Sequence, residues 1–553
     1  MLVPLTIIDG AVAEMDICCG FVYALPNGKD PLVAKTLIDN IEAATKRVVT
    51  KWPMLQGHPI WDKEARLWSL DVPTDSEKPK LSRPFLFSSD VIKKPYHRAV
   101  GLDAPIKPLS HETTPCHVQP EHLFEHFRHP KLPSTFPGCS KMGASIVAVR
   151  VVVFDDALTV GVTVPHGCFD ATGMGFIITA LRAELHDEAV WPCGPPPPLF
   201  ETNPADEQIR LLKAEPDSAS KEVENSALPA WVSAGELTHV AKFLLNYLIE
   251  KKWHHDEPRH YFLSEKAING LIAKTKKEVA EKTGGKEWIS TGDVLNAWTL
   301  KALHSGEAKS GTSAMATPVF SLRDLLGFQS YPHNAVGPYT FSFTPIPLSK
   351  MAELSIADLA LIHRRTLAEC RARPYLTATL KKMDRLTDGG KVPFVPERHW
   401  PWKVAFAKIK RNDKKGKKTP VHHTVISNQA VSDVAKLAIP APTVAPATTT
   451  ASDADSQVTA SGSTTPVNAE FGEKAALKAA DAAGAAATTT TDLPLLAYYM
   501  RITAPIKDHQ SYRFQTNEKG IFMEGCMRRK RWACMTKAVE QLEREFGHTA
   551  VSA

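Results

Sequence analysis

Residues 144 to 181, "ASIVAVRVVVFDDALTVGVTVPHGCFDATGMGFIITAL", constrain the fold more than any other stretch of the chain. Two runs rich in Val and Ile, 144–154 and 157–164, each favour an extended backbone, and the Asp155–Asp156 pair between them marks a tight hairpin. In the second run Leu158, Val160, Val162 and Val164 fall on one face, and Thr159, Gly161 and Thr163 on the other. A loop of small residues follows, "GCFDATGMG", and then an apolar helical run. The hairpin therefore delivers His166 to one end of a sheet, with Asp170 four residues on and Gly173 three further. Pockets tend to form where strands end in such loops.

Spacing alone does not make His166 and Asp170 a pair. A second H-x-x-x-D occurs at His58 to Asp62, in "HPIWD". That copy precedes the charged stretch "DKEARLW" and has no glycine loop, so context favours a structural or exposed role there. For His166 the plain alternative is a loop histidine satisfied by hydrogen bonds. A metal pair would need a third ligand at a recognisable spacing, and none follows. Cys168 as a nucleophile would need a base within reach, and a side chain two along a turn points away from His166.

At 553 residues the chain exceeds the common size of one domain. Four consecutive prolines in "WPCGPPPPLFETNPADE" (191–207) break regular structure, so the crossover between an N-terminal domain, 1–204, and a C-terminal domain, 205–553, is placed there. Helical periodicity appears in "DPLVAKTLIDNIEAATKRVVTKWPML", "AGELTHVAKFLLNYLIEKK", "STGDVLNAWTLKAL", "SIADLALIHRRTLAEC" and "RWACMTKAVEQLEREF". "RHYFL" and "LLAYYMRI" read as strands. Ser264 and the Ser290–Asp293 pair are expected N-caps. Residues of about 440–492 are rich in Ala, Thr and Ser, a composition that cannot offset its ordering entropy, and are expected to be a disordered insert.

The charged fraction of 23% and a net charge of +6 lack the concentrated basic face that nucleic acid requires. Nine scattered cysteines without C-x-x-C, and an N-terminus without a secretory pattern, suit a reducing, cytoplasmic setting. No apolar run reaches the ~20 residues of a membrane helix.

Several motifs together resemble the BAHD acyltransferases, in particular their fungal branch. "HGCFDATG" matches the family's H-x-x-x-D followed by glycine. "VPLTIIDGAVAEMDICCGFVYALP" resembles its opening "plS-x-x-D" region, and "KWPMLQG" its "fP-x-x-aG" turn. "ISTGDVLNAWTLKAL" is similar to its "S-t-x-D-x-l-x-a-x-x-W" helix, and "FSLRDLLGFQSYPHNAVGPYTFSF" to its Arg-bearing strand followed by "y-f-G-N". Two departures are evident. The D-F-G-W-G signature is not found, and His333 replaces the glycine before Asn334.

The resemblance implies an α/β (α+β) chain of two similar domains with the chloramphenicol acetyltransferase-like fold. Mixed sheets are flanked by helices, and the active site lies in a tunnel between the domains. It implies an acyl-CoA-dependent O-acyltransferase, with acetyl-CoA the first expectation as co-substrate. The acceptor would be a hydroxylated secondary metabolite such as a glycolipid or terpenoid. On this resemblance His166 is the general base. Asp170 pairs with Arg323 as a structural element of the site, and Gly173 and Asn334 shape it. No permanent cofactor, metal, nucleic acid or membrane partner is implied, and a monomer is expected. "KIKRNDKKGKK" (408–418) and "RRKR" (528–531) are the basic clusters that could meet the phosphates of coenzyme A, although solvated surface or an import-like tract is the plainer reading of each. A condensation-type enzyme dependent on a carrier protein shares the fold, but its motif begins with two histidines, and Pro165 holds the first position here. A non-catalytic ligand-binding scaffold is the remaining alternative.

Overall fold

The computed structural model describes residues 1–10, 13, 15–73, 84–106, 116–118, 123–216, 256–307, 311–327, 346–386, 409–412, 418–428, 432, 434–442, 491–502, 510–516 and 520–547. Its first part lays down β1 (Leu2–Pro4), α1 (Ile7–Gly10), β2 (Asp16–Ala24), α2 (Pro31–Lys51), β3 (His58–Asp62), β4 (Leu67–Asp71) and β5 (Leu86–Ile92). There follow α3 (Tyr96–Ala99), β6 (Cys116–Val118), α4 (Phe136–Met142), β7 (Ala148–Phe154), β8 (Ala157–Pro165), α5 (Ala171–Leu185) and α6 (Pro204–Ala214). The later part holds β9 (Asp256–Ser264), α7 (Glu265–Thr283), α8 (Thr291–His304), β10 (Ser313–Val319), α9 (Arg323–Leu326), β11 (Ile346–Pro347) and α10 (Leu348–Glu353). It ends with α11 (Ile356–Arg371), α12 (Arg373–Leu386), β12 (Ile409–Asn412), β13 (Lys418–Asn428), β14 (Leu495–Ile502), β15 (Gln510–Thr516), β16 (Gly520–Arg528) and α13 (Arg529–Leu542). This is a mixed α/β architecture.

The hairpin at 144–165 sits inside a five-stranded sheet of order β14–β2–β8–β7–β5. β7 and β8 run antiparallel with Val153 opposite Leu158, so the turn falls on Asp155 and Asp156. Leu158, Val160, Val162 and Val164 join Val149, Val151 and Val153 in the main apolar core with residues of α2 and α5. The opposite face is also covered. Val152 and Phe154 pack with Phe127 and Tyr499, and Thr159 and Thr163 are fully buried. At Gly161 the backbone of Phe127 approaches so closely that a Cβ would overlap the Phe127 carbonyl. Every residue of β8 is buried, as suits a strand with layers on both sides.

The helix starts are built from short polar side chains. Asp30 caps α2 through the Leu32 N–H at 2.8 Å. Ser264 caps α7, and Ser290 and Asp293 form a reciprocal capping box on α8. Leu295, Trp298 and Ala302 of α8 are buried, along with most of the helix. The irregular run after α5 ends earlier than its composition predicts. Asn203 accepts from the Ala205 N–H at 2.9 Å, and Pro204 occupies the first position of α6, where a missing N–H costs nothing.

The second large sheet has the order β11–β10–β13–β15–β16–β9–β6, with β12 on β13. The two large sheets trade strands. β14 pairs with β2, Tyr498 opposite Phe21, while β6 from the first part pairs with β9, His117 opposite His260. Glu524 on β16 accepts from the Met500 N–H of β14 at 2.9 Å, tying one sheet to the other. Each of the two large sheets thus takes strands from both sides of residue 204. Of "RRKR", Arg529 and Lys530 are exposed, whereas Arg531 is buried with Nε 3.5 Å from Glu307. The helix expected at 234–252, most of 440–492 and most of the other basic cluster lie outside the described residues. Among the described residues no helix is long and apolar enough to cross a membrane.

Candidate active site

The loop after β8 is pinned at both ends. At its start the His166 N–H donates to the Met15 carbonyl at 2.8 Å, beside the pairing of Pro165 with Asp16. At its end Asp170 is the N-cap of α5, and its Oδ1 accepts from the Gly173 N–H at 3.0 Å. Between them, a Cβ at Gly167 would lie 2.5 Å from Phe136 Cζ and 3.1 Å from the Asp9 carbonyl. Only glycine lets the loop rest on these groups without displacing them.

Asp170 and Arg323 meet across 153 positions of sequence. Arg323 Nη1 donates to Oδ2 at 2.7 Å and Nη2 to Oδ1 at 2.9 Å, a bidentate geometry. Both side chains are almost completely buried, at 5% and 6% exposure. Arg323 sits at the first position of α9, a single turn, rather than on a strand; the preceding strand, β10, ends at Val319. Ser321 holds the turn by accepting from the Arg323 N–H at 3.2 Å. The carboxylate is thus committed to Arg323 and to the helix start.

His166 itself is buried, with 4% of its surface exposed. Its Nδ1 is sealed and, among the described residues, meets no acceptor at full hydrogen-bonding geometry. Burial pushes the imidazole below its ordinary value, because the charged ring loses solvation. The carbonyls of His166 and Phe169 and the Asp170 carboxylate pull the other way without overcoming it. The ring is therefore a neutral acceptor near neutral pH, the state a general base requires. Cys168 is fully buried, and burial raises its thiol well above the ordinary range, the opposite of an activated nucleophile.

Other candidates have separate places. His58 and Asp62 lie on β3 at the edge of a three-stranded sheet of order β1–β4–β3. His58 Nε2 is 3.8 Å from Asp71, and Asp62 accepts from the Glu64 and Ala65 N–H groups of a turn. Asn334 lies outside the described residues. Among the described residues no group of three or more His, Cys, Asp or Glu side chains stands together to hold a metal ion.

One neighbour of the site escapes the sequence reading, and a second enters it only as part of a matched motif. Arg128 donates to Asp16 Oδ2 through Nε at 2.9 Å and Nη2 at 2.8 Å, beside the strand end that carries His166. Thr6 and Asp9 form a capping box on α1, under Gly167. The T-x-x-D spacing of "TIID" falls in the stretch matched to "plS-x-x-D" and is itself a capping-box signal; nothing local announces the Asp16–Arg128 pair.

No family model matches the chain. O-acetyltransferase PaAT-2 of Phomopsis amygdali is 23% identical over 266 residues, 44% of this chain and 50% of that protein. Acetyltransferase BOT5 of Botryotinia fuckeliana is 22% identical over 265 residues, 46% of each. The chain spans about half the length of these curated relatives. Among solved structures, TRI101 of F. sporotrichioides complexed with coenzyme A and T-2 superposes with a TM-score of 0.57 at 12% identity, covering 99% of both chains. TRI101 of F. graminearum complexed with coenzyme A and deoxynivalenol gives 0.57 at 13% identity, covering 96% of both. At such identities the likeness is one of fold. The chain has the chloramphenicol acetyltransferase-like fold of the BAHD-type acyltransferases and is similar in sequence to fungal acetyltransferases.

Proposed function

We propose that the protein transfers an acyl group, acetyl first, from a coenzyme A thioester to a hydroxyl of a small secondary metabolite. The observation that carries this reading is the buried, neutral His166, held on a loop pinned to a distant part of the chain by the Asp170–Arg323 pair. His166 takes the proton of the acceptor hydroxyl as its oxygen attacks the thioester carbonyl. The tetrahedral intermediate then collapses, the C–S bond breaks, and the imidazolium returns the proton to the departing thiolate. The products are an ester and free coenzyme A, so atoms and charge balance. Both substrates are present together and no acyl-enzyme forms. Asp170, Gly173 and Arg323 fix the loop that aims the ring, so the reacting groups meet in one geometry. Asn334 is assigned to the same supporting set on its motif alone.

A terpenoid or glycolipid alcohol is the acceptor class we favour. The complexes of TRI101 with coenzyme A and T-2 or deoxynivalenol, and the acetyltransferase names of the curated relatives, support a small acceptor and an acetyl donor. We place the protein as a monomer in the cytoplasm. The test is incubation with acyl-coenzyme A of graded chain length and a panel of terpenoid and glycolipid alcohols, read by thiol release and product mass. The expected result is acceptor-dependent release with acetyl-coenzyme A and a product heavier by one acetyl group. Thiol release that never exceeds the acceptor-free rate would count against transfer.

A further inference from the structure

The one-turn helix α1 lies under the His166 loop and carries a buried acid at its third position. Asp9 is wholly inaccessible. Its Oδ2 accepts from the Thr6 N–H at 2.6 Å, but its Oδ1 has no hydrogen-bond partner among the described residues. Its backbone carbonyl is one of the two surfaces against which Gly167 rests. Ile7 and Ile8 beside it pack with Ile209 and Leu212 of α6 and with Leu322 and Leu326, which flank Arg323. Asp9 thus stands where the His166 loop, α6 and the Arg323 turn converge.

The ionisable groups acting on it are Asp170 at the start of α5, with Arg323 upon it, and Asp206 in the first turn of α6; the buried thiol of Cys168 lies in range as well. A carboxylate sealed from water with one oxygen unmatched and two acidic neighbours is expensive, and the cheaper state keeps the proton. Burial first, and Asp170 and Asp206 after it, push Asp9 well above the usual carboxylate range, against the opposing bonds from Thr6.

We propose that Asp9 is a positioning residue that works as an uncharged carboxylic acid, filling the space beneath the His166 loop without adding a charge beside Asp170. The proposal rests on the reading of His166 as the base. An ionised Asp9 would set a further buried negative charge against Asp170 and Asp206. An uncharged one packs and caps without that conflict.

Asn has nearly the same shape and cannot ionise, so the test compares Asp9→Asn, Asp9→Ala and wild type in transfer rate and in melting temperature against pH. The unfolded chain releases the Asp9 proton near pH ~4, whereas the folded chain keeps it, so wild type loses stability as pH rises from there towards the folded value. Asp9→Asn has no such slope. It is expected to melt with wild type near pH ~4 and a few degrees above it near pH ~8. It should keep at least about a third of wild-type kcat, while Asp9→Ala, which opens a void and loses the cap, falls about tenfold. A melting gap that does not grow with pH, a greater loss of kcat in Asp9→Asn, or its failure to fold overturns the proposal, because an uncharged site must accept an uncharged isostere. Should wild type show no transfer at all, the functional reading fails, and the melting comparison still decides the state of Asp9.

Discussion

At the scale of single residues, Asp170 does two jobs with one carboxylate: it caps α5 and it holds Arg323 in a bidentate pair. Asp170→Asn keeps a cap acceptor but leaves a buried guanidinium uncompensated, which should cost about 3 kcal/mol or more. A clear fall in melting temperature together with slower transfer is expected; an unchanged melting point would argue that the pair contributes nothing. His166 makes a second prediction, with its sign set by burial. Its value lies below the ordinary ~6.5, so the base form predominates at that pH and is lost on further acidification. The acid limb of the rate profile should therefore be centred below pH ~6.5; a limb centred higher would contradict the burial argument. His166 and Asp170 are visible in sequence because a loop between strand and helix carries both within five positions. Arg323 is visible only through the likeness of its surrounding motif, since 153 positions separate it from Asp170. The Asp16–Arg128 pair, 112 positions apart, has no comparable motif and is apparent only in three dimensions.

At the scale of elements, alternation and capping chemistry carry most of the information. The two Val-rich runs, the Asp–Asp turn, and the Ser264 and Ser290 caps all fall where local residue chemistry places them. Ser290→Ala should cost about 1 kcal/mol through loss of the capping box on α8, measured by denaturant midpoint. What alternation leaves open is how closely the second layer approaches. Gly161 reads simply as a small residue on a strand, yet the Phe127 backbone occupies the space its side chain would need. Gly161→Ala should destabilise by about 2 kcal/mol or more, since the obstacle is backbone and cannot rotate away. A neutral effect in chemical denaturation would mean that the segment over β8 yields freely. The start of α6 shows the opposite error: proline density reads as irregular throughout, but an Asn cap followed by Pro at the first position begins a helix.

At the scale of the molecule, the strand exchange was not legible at all. β14 pairs with β2 across nearly the whole chain, and β6 joins β9 in the other sheet, and pairings of such separation leave no local trace in composition. Arg323, far along the chain, is held near Asp170 by a separate apolar cluster, in which Leu322 and Leu326 pack with Ile7, Ile8, Ile209 and Leu212. The strand exchange also brackets the Ala/Thr-rich segment. Pro440 bridges Asp492, the Ala441 N–H donates to the Thr491 carbonyl at 3.0 Å, and the Leu493 N–H to the Ile439 carbonyl at 2.8 Å. The chain departs and returns at adjoining points, so replacing 443–490 by a short Gly/Ser linker should leave melting temperature and transfer rate within experimental error of wild type. A large loss of either would show that the segment serves the folded core. The central claim is that the imidazole of His166 removes the proton of the acceptor hydroxyl. The most direct measurement is the acetyl-transfer rate of His166→Ala beside wild type, with melting temperature followed in parallel. The account predicts a fold left intact and a rate lower by at least about a hundredfold; a folded variant that still turns over near the wild-type rate would contradict it.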